Sequence, residues 1–263
     1  MENTTYTTAP SGDRHTHTII LLHGRDSHGS EFASDFFESQ ASDERKFPEI
    51  FPTIKWVFPS SKLLPSARFQ SEISQWFDIW SVEDPADKKE LQLEGLRESI
   101  RDVLVIVRSE MALVPPERII LGGISQGCAT AILALLCGGI RIGGFVGMSS
   151  WLPFQGEVAA VARDFERGER LGHIRSIFNE SIGSPEIVRE GDGSAIDTPV
   201  FLSHSKDDMV VPIKNGVELE KMLRELGVEV TWKAYEDGDH WINEPEGVDD
   251  IVAFLKDRLQ IGS

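Results

Sequence analysis

The chain has 263 residues, 40% of them hydrophobic, enough for one large domain with a real core and too many for a disordered segment. Lys and Arg total 26 against 43 Asp and Glu, a formal net charge of −17. Such a surface repels nucleic acid and anionic membranes, so neither is expected as a partner.

In chain order, residues 1–14 are polar and Thr-rich and read as a flexible tail without the apolar core of a secretory leader. A single domain is expected from 15 to 263. Thr16 to Leu22 reads as a strand ending at His23-Gly24, followed by a loop from Arg25 to Gly29. Ser30 is placed to cap a helix carrying Phe32, Phe36 and Phe37. Ile54 to Phe58 is a second strand stopped by Pro59. Between Lys88 and Ala112, the residues Leu96, Ile100, Val103, Leu104, Val107 and Met111 recur at helical spacing, and Pro115-Pro116 ends the segment.

Arg118 to Leu121 is a strand and Gln126 to Leu136 a helix of small and apolar residues. The apolar run from Ile119 to Cys137 is broken by Gly122, Gly123, Ser125, Gln126 and Gly127, so a buried strand, turn and helix is expected there rather than a membrane span. Cys128 and Cys137 face opposite sides of that helix and cannot bridge locally. With no zinc-type Cys spacing either, the chain reads as reduced and cytoplasmic. Strands follow at Gly144 to Met148 and Pro199 to Ser203, then a helix from Ile213 to Leu226 closed by Gly227, a strand from Val228 to Tyr235 and a helix from Val248 to Leu259.

This alternation predicts an α/β fold, with a mostly parallel central sheet, right-handed crossovers and helices on both faces. Residues 155–198 break the rhythm. Val158, Val161, Ala162 and Phe165, then Leu171, Ile174, Ile177 and Phe178, mark two short helices, and Gly183 to Asp197 is loop-like. An inserted helical lid is expected there.

Gly123-Ile124-Ser125-Gln126-Gly127 has the form G-x-S-x-G between a strand and a helix. A sharp turn of this kind lifts Ser125 above the sheet edge, and the glycines avoid Cβ clashes in its cramped backbone. Ser125 needs a base and an orienting acid, in the order Ser, acid, His along the chain. His240, in the loop Asp237 to Trp241, is the base that fits; His173 falls in the insertion and His204 at a strand end. His15 and His17 are read as solvated residues at a strand start. Asp207 and Asp208 both follow the strand that ends at Ser203, and only one can face His240. The oxyanion of an acyl-transfer reaction needs two backbone donors, for which the amides of Gln126 and Arg25 are the candidates. That chemistry needs no metal or organic cofactor.

The chain resembles the acyl-protein thioesterase and small carboxylesterase (phospholipase/carboxylesterase) family of α/β-hydrolases. The resemblance is carried by Leu21-Leu22-His23-Gly24, Trp76-Phe77-Asp78-Ile79, Arg118 through Gly127, Ser150-Trp151-Leu152-Pro153, His204 through Pro212 and the His240 loop, in family order. It implies Ser125, Asp208 and His240 as a triad, with Arg25 and Gln126 as oxyanion donors. It also implies a substrate site bordered by Trp76, Trp151 and Leu152, and hydrolysis of esters or thioesters. Cys128 replaces a common glycine, Ile124 a common Phe, the loop Arg25 to Gly29 is charged, and the 155–198 insertion is long. The substrate stays open between a small-molecule ester and an S-acylated protein, the acidic surface leaning toward the former. Other readings are a non-catalytic ligand-binding module on the same scaffold, or an acyltransferase using the same three residues.

Overall fold

The computed structural model describes residues 5–11, 14–178 and 194–260. Its main sheet has seven strands: β1 (Thr5–Thr8), β2 (His17–Leu22), β3 (Ile54–Pro59), β6 (Ile119–Ile124), β7 (Gly144–Met148), β8 (Val200–Ser205) and β9 (Val230–Tyr235). A separate two-stranded ribbon is formed by β4 (Lys62–Ser66) and β5 (Ser71–Gln75). The order in the main sheet is β1-β3-β2-β6-β7-β8-β9, all neighbours parallel except β1 against β3. The N-terminal segment expected as a loose tail therefore contributes an edge strand. Tyr6 pairs with Phe58 in register, so a polar, Thr-rich stretch is ordered by backbone bonds to a buried neighbour.

The central strands β2 and β6 are buried at every position because both faces are covered. Alternate residues serve opposite cores. Ile20 and Leu22 join one, with Leu96, Ile100 and Val103 of α3 (Gln92–Met111) and the wholly apolar middle of α4 (Gln126–Gly138). Ile19 and Leu21 join the other, with Phe32 and Phe36 of α1 (Gly29–Glu38) and Phe47 of the short α2 (Phe47–Ile50). The last helix, α8 (Glu246–Leu259), adds Val248, Ile251 and Leu255 to this second face. Each strand thus glues one layer above and one below, as its period of two requires.

The insertion supplies α5 (Gln155–Asp164) and α6 (Arg167–Phe178), and α7 (Ile213–Leu226) follows β8. Val158, Val161, Ile174 and Phe178 are buried in the same core as α3, α4 and α7. Three arginines fasten this layer by capping helix ends. Arg170 donates to the carbonyls of Ala162, at 2.8 Å, and Leu226, at 3.0 Å; Arg175 donates to Cys137 and Arg97 to Phe178. The described part of the expected lid is thus a packed layer. Its apolar residues face the sheet-side helices rather than the sheet edge where Ser125 lies. Residues 179–193, with most of the expected loop, fall outside the described residues.

Phe36 is the hub of the second core. It stacks on Phe47 with ring centroids 4.4 Å apart and contacts Phe32, Trp56 and Phe58. Phe36→Ala is expected to cost about 3–5 kcal/mol of folding stability through lost burial and the cavity left behind, read from urea unfolding.

Candidate active site

Ser125 follows β6 directly and stands at the N-cap of α4 with φ 55° and ψ −126°, a conformation that L-residues seldom adopt. Its amide donates to the Met148 carbonyl at 2.9 Å, and its own carbonyl accepts from Ser150 Oγ at 2.7 Å. The turn fits because of Gly127. A Cβ there would stand 2.3 Å from the Leu22 oxygen and 2.4 Å from the His23 oxygen. Helix α4 therefore starts in direct backbone contact with the loop after β2.

That loop is held by its own residues. His23 is fully buried, and its Nε2 accepts from the Ser61 amide at 2.9 Å, which leaves the proton on Nδ1 to donate to the Gly24 carbonyl at 2.6 Å. Burial pushes its pKa down to about 4, so the ring is neutral near pH 7. Trp76 Nε1 donates to the His23 carbonyl at 2.8 Å. The Gln126 side chain clamps the same segment, accepting from the Trp76 amide at 2.9 Å and donating to the Phe77 carbonyl at 2.8 Å. The backbone amides of Arg25 and Gln126 donate to no described backbone group.

The acid loop leaves β8 at Ser205. Asp208 has a fully buried carboxylate with a donor on every side. Oδ1 accepts from the amides of Val210 and Val211 at 2.8 Å each, and Oδ2 from His240 Nδ1 at 2.8 Å and His204 Nε2 at 3.2 Å. Burial alone would raise its pKa. The hydrogen bonds from His204 and His240 and from the backbone outweigh this and hold the carboxyl well below the ordinary range. His204 also donates to the Val211 carbonyl at 2.8 Å, so it is built into this loop. Asp207 bonds the Asp239 amide at 3.0 Å instead and tethers the His240 loop. Of the two aspartates, Asp208 is the one bonded to the imidazole of His240.

Ser125 and His240 both line a cavity of about 650 Å³ at the C-terminal edge of the sheet. Gly24, Arg25, Gln126, Trp151, Trp241 and Val210 share it, as do Phe69, Ser71 and Ile73 from the β4–β5 ribbon. With Nδ1 committed to Asp208, His240 Nε2 has no described partner. Of the residues expected to border a substrate, Trp151 alone lines this space. Leu152 lines a neighbouring cavity of about 550 Å³, whose wall Trp151 also forms. Trp76 lines neither; it is a buried support for the loop at His23.

The ribbon carrying Phe69 had no turn signal in the sequence, since Ala67-Arg68-Phe69-Gln70 contains none of the residues that mark hairpins. An aromatic residue exposed in a polar tract was the available hint. His173 stacks on Phe165 in the insertion. His17, expected to be solvated, is buried, and His15 bonds Thr18 at 2.9 Å. Cys128 and Cys137 are buried, which pushes both thiols up to about 12 and removes them as rival nucleophiles.

A serine in a positive-φ turn from a parallel strand into a helix, beneath loops carrying an acid and a histidine, is the architecture of the α/β-hydrolases. A family model described as Phospholipase/Carboxylesterase matches residues 3–167 and 181–259, and the chain belongs to that family of hydrolases. It is 28% identical over 254 residues to acyl-protein thioesterase 1 of Gibberella zeae, covering 95% of this chain and 94% of that one. A second relative, acyl-protein thioesterase 1 of Schizosaccharomyces pombe, is 31% identical over 156 residues, 57% of this chain and 64% of its own. The crystal structure of Zea mays acyl-protein thioesterase 2 superimposes with a TM-score of 0.70 at 25% identity, covering 98% of this chain and 99% of that one. The protein is accordingly an enzyme, a serine hydrolase of the carboxylesterase and thioesterase type. Among the described residues, no helix is long and apolar enough to cross a membrane.

The buried, neutral His23 has a pH consequence. Its pKa is lower in the folded chain than in the unfolded one, so its contribution is complete above about pH 6.5. It is lost as pH falls toward 4, where the unfolded ring binds a proton that the folded ring refuses. The stability advantage of wild type over His23→Gln is expected to shrink by roughly 3 kcal/mol between pH 7 and pH 4. Urea unfolding at several pH values measures it.

Proposed function

We propose that Ser125, His240 and Asp208 act as a catalytic triad in hydrolysing carboxylic esters or thioesters through an acyl-enzyme. The observation that carries this reading is the 2.8 Å bond from His240 Nδ1 to the buried, hydrogen-bonded carboxylate of Asp208, with the opposite ring nitrogen left unpartnered beside the cavity that holds Ser125. Asp208 fixes the tautomer that leaves Nε2 able to accept a proton, and it stabilises the imidazolium that follows.

In this mechanism Ser125 Oγ attacks the carbonyl carbon while its proton passes to His240 Nε2. The developing oxyanion receives the amides of Arg25 and Gln126. Loss of the alcohol or thiol, protonated by His240, leaves an acyl group on Ser125. Water then gives its proton to His240, attacks the acyl carbon, and releases the carboxylic acid and the free serine. Neither amide has a competing backbone acceptor, as a pair of preorganised donors requires.

The cavity suits an amphipathic acyl or leaving group. Phe69, Ile73, Val82, Trp151 and Val210 supply apolar wall, and the thioesterase names of the relatives support a thioester as one substrate class. A small-molecule ester is the other, and the net charge of −17 favours it over a substrate lodged in an anionic membrane.

A fluorophosphonate probe is expected to label wild type on Ser125, and Ser125→Ala to take up none. Asp208→Asn is expected to lower kcat on 4-nitrophenyl acetate by about 10³–10⁴, with KM little changed, because the imidazole would be held in the wrong tautomer. Undiminished turnover in either variant would overturn the triad.

A further inference from the structure

Arg25 has a second feature besides its backbone amide. Its guanidinium carbon stands 5.1 Å over the ring of Phe69, and both residues line the Ser125 cavity. Yet the side chain makes no hydrogen bond or ion pair with any described residue, and its Nη1 is shut off from solvent without an acceptor. A buried guanidinium nitrogen lacking an acceptor is costly to keep. Burial and the nearby charge of Arg68 both weigh against the cation, while Asp26 and Asp78 favour it from a distance without pairing to it. Asp78 spends one oxygen on the Ala67 amide at 3.0 Å. Arg68 spends its Nη1 on the Trp80 carbonyl at 2.7 Å. Asp78 Oδ1 is buried without a partner as well, yet no hydrogen bond or ion pair joins it to Arg25, whose fork of donors at the cavity wall is left unpaired among the described residues.

We infer that the Arg25 guanidinium, stacked on Phe69 at the wall of the cavity, receives a carboxylate carried by the substrate, so that the enzyme prefers acidic esters or thioesters. This rests on the hydrolase reading above and names the substrate class for the same site. The guanidinium offers a planar fork of donors that matches a carboxylate, and the Phe69 face holds that plane in place. Position within the chain adds to the case: the amide and the side chain of one residue flank the reacting carbonyl and the distal acid respectively. Asp26, Glu31 and Asp35 also line the cavity and would turn an anion away from their side of it, toward Arg25. With a net charge of −17 the chain gives an anion no long-range attraction, so the preference must come from contact.

Two measurements test this. The first is the ratio of kcat/KM for 4-nitrophenyl hydrogen adipate to that for its neutral methyl ester, read from nitrophenol release. Wild type is expected to favour the acid by about tenfold to a hundredfold, the range of a charge-assisted hydrogen bond, and Arg25→Met to bring the ratio to about one. Using a ratio within each variant cancels any change in the shared chemistry, and Arg25→Lys is expected to restore part of the preference. The second measurement needs no turnover. In the Ser125→Ala protein, calorimetric titration is expected to show monomethyl adipate binding at least about tenfold more tightly than dimethyl adipate, a difference lost when Arg25→Met is added. Equal binding of the acid and the neutral ester with Arg25 in place overturns the inference, Arg25 then being satisfied by Asp78. Failure of serine labelling with the binding preference intact would instead overturn the triad and leave the anion site standing.

Discussion

Everything at this site depends on one close backbone approach. The start of α4 lies so near the end of β2 that Gly127 has no room for a single carbon beyond its backbone, with the Leu22 and His23 oxygens 2.3 and 2.4 Å from where a Cβ would be. That contact brings the serine turn against the loop of Arg25. Two chain segments about a hundred residues apart thereby present adjacent amides. The positive φ of Ser125 is held by the surrounding core, because β6 is buried on both faces and α4 is buried along its length. His23, Trp76 and the Gln126 side chain then keep the loop from relaxing.

Electrostatics is arranged with the same economy. The carboxylate of Asp208 is removed from water, which would ordinarily favour its protonation, but four donors converge on its two oxygens. It stays ionised, and the imidazole it orients keeps one nitrogen for chemistry. Arg25 is the opposite case, a cation half-withdrawn from water with an aromatic face beside it and no acceptor. The first is a completed network within the protein. The second is left incomplete among the described residues.

The helices of the insertion illustrate how a sequence pattern can be right about local structure and mislead about role. Their apolar residues recur at helical spacing, as a lid over a hydrophobic pocket would also require. Half-buried arginines bonded to the carbonyl ends of α4, α5 and α7 fix the described helices as an outer layer of the core instead. The cavity wall expected from the insertion comes from elsewhere, through the β4–β5 ribbon and its Phe69.

The alternation of apolar strands and amphipathic helices was legible in the sequence because periods of 2 and 3.6 are local properties, each set by which faces must be buried. So was the sharp turn at Ser125, because a strand-turn-helix with glycines at fixed offsets is written into a pentapeptide, and the candidacy of His240 came from its order in the chain. What the sequence left open required distance in space. Asp207 and Asp208 are equivalent by position and differ only in which one the fold of their loop turns toward the imidazole. Trp76 and Trp151 look alike as aromatic residues near family motifs, but one supports a loop from within and the other faces the cavity. The pairing of Thr5–Thr8 with β3 and the folding of Phe69 over Arg25 are non-local contacts, made by residues whose own neighbours carry no periodic signal. Tertiary structure decided these because they depend on which surfaces meet, and a chain records that only through contacts between residues far apart along it.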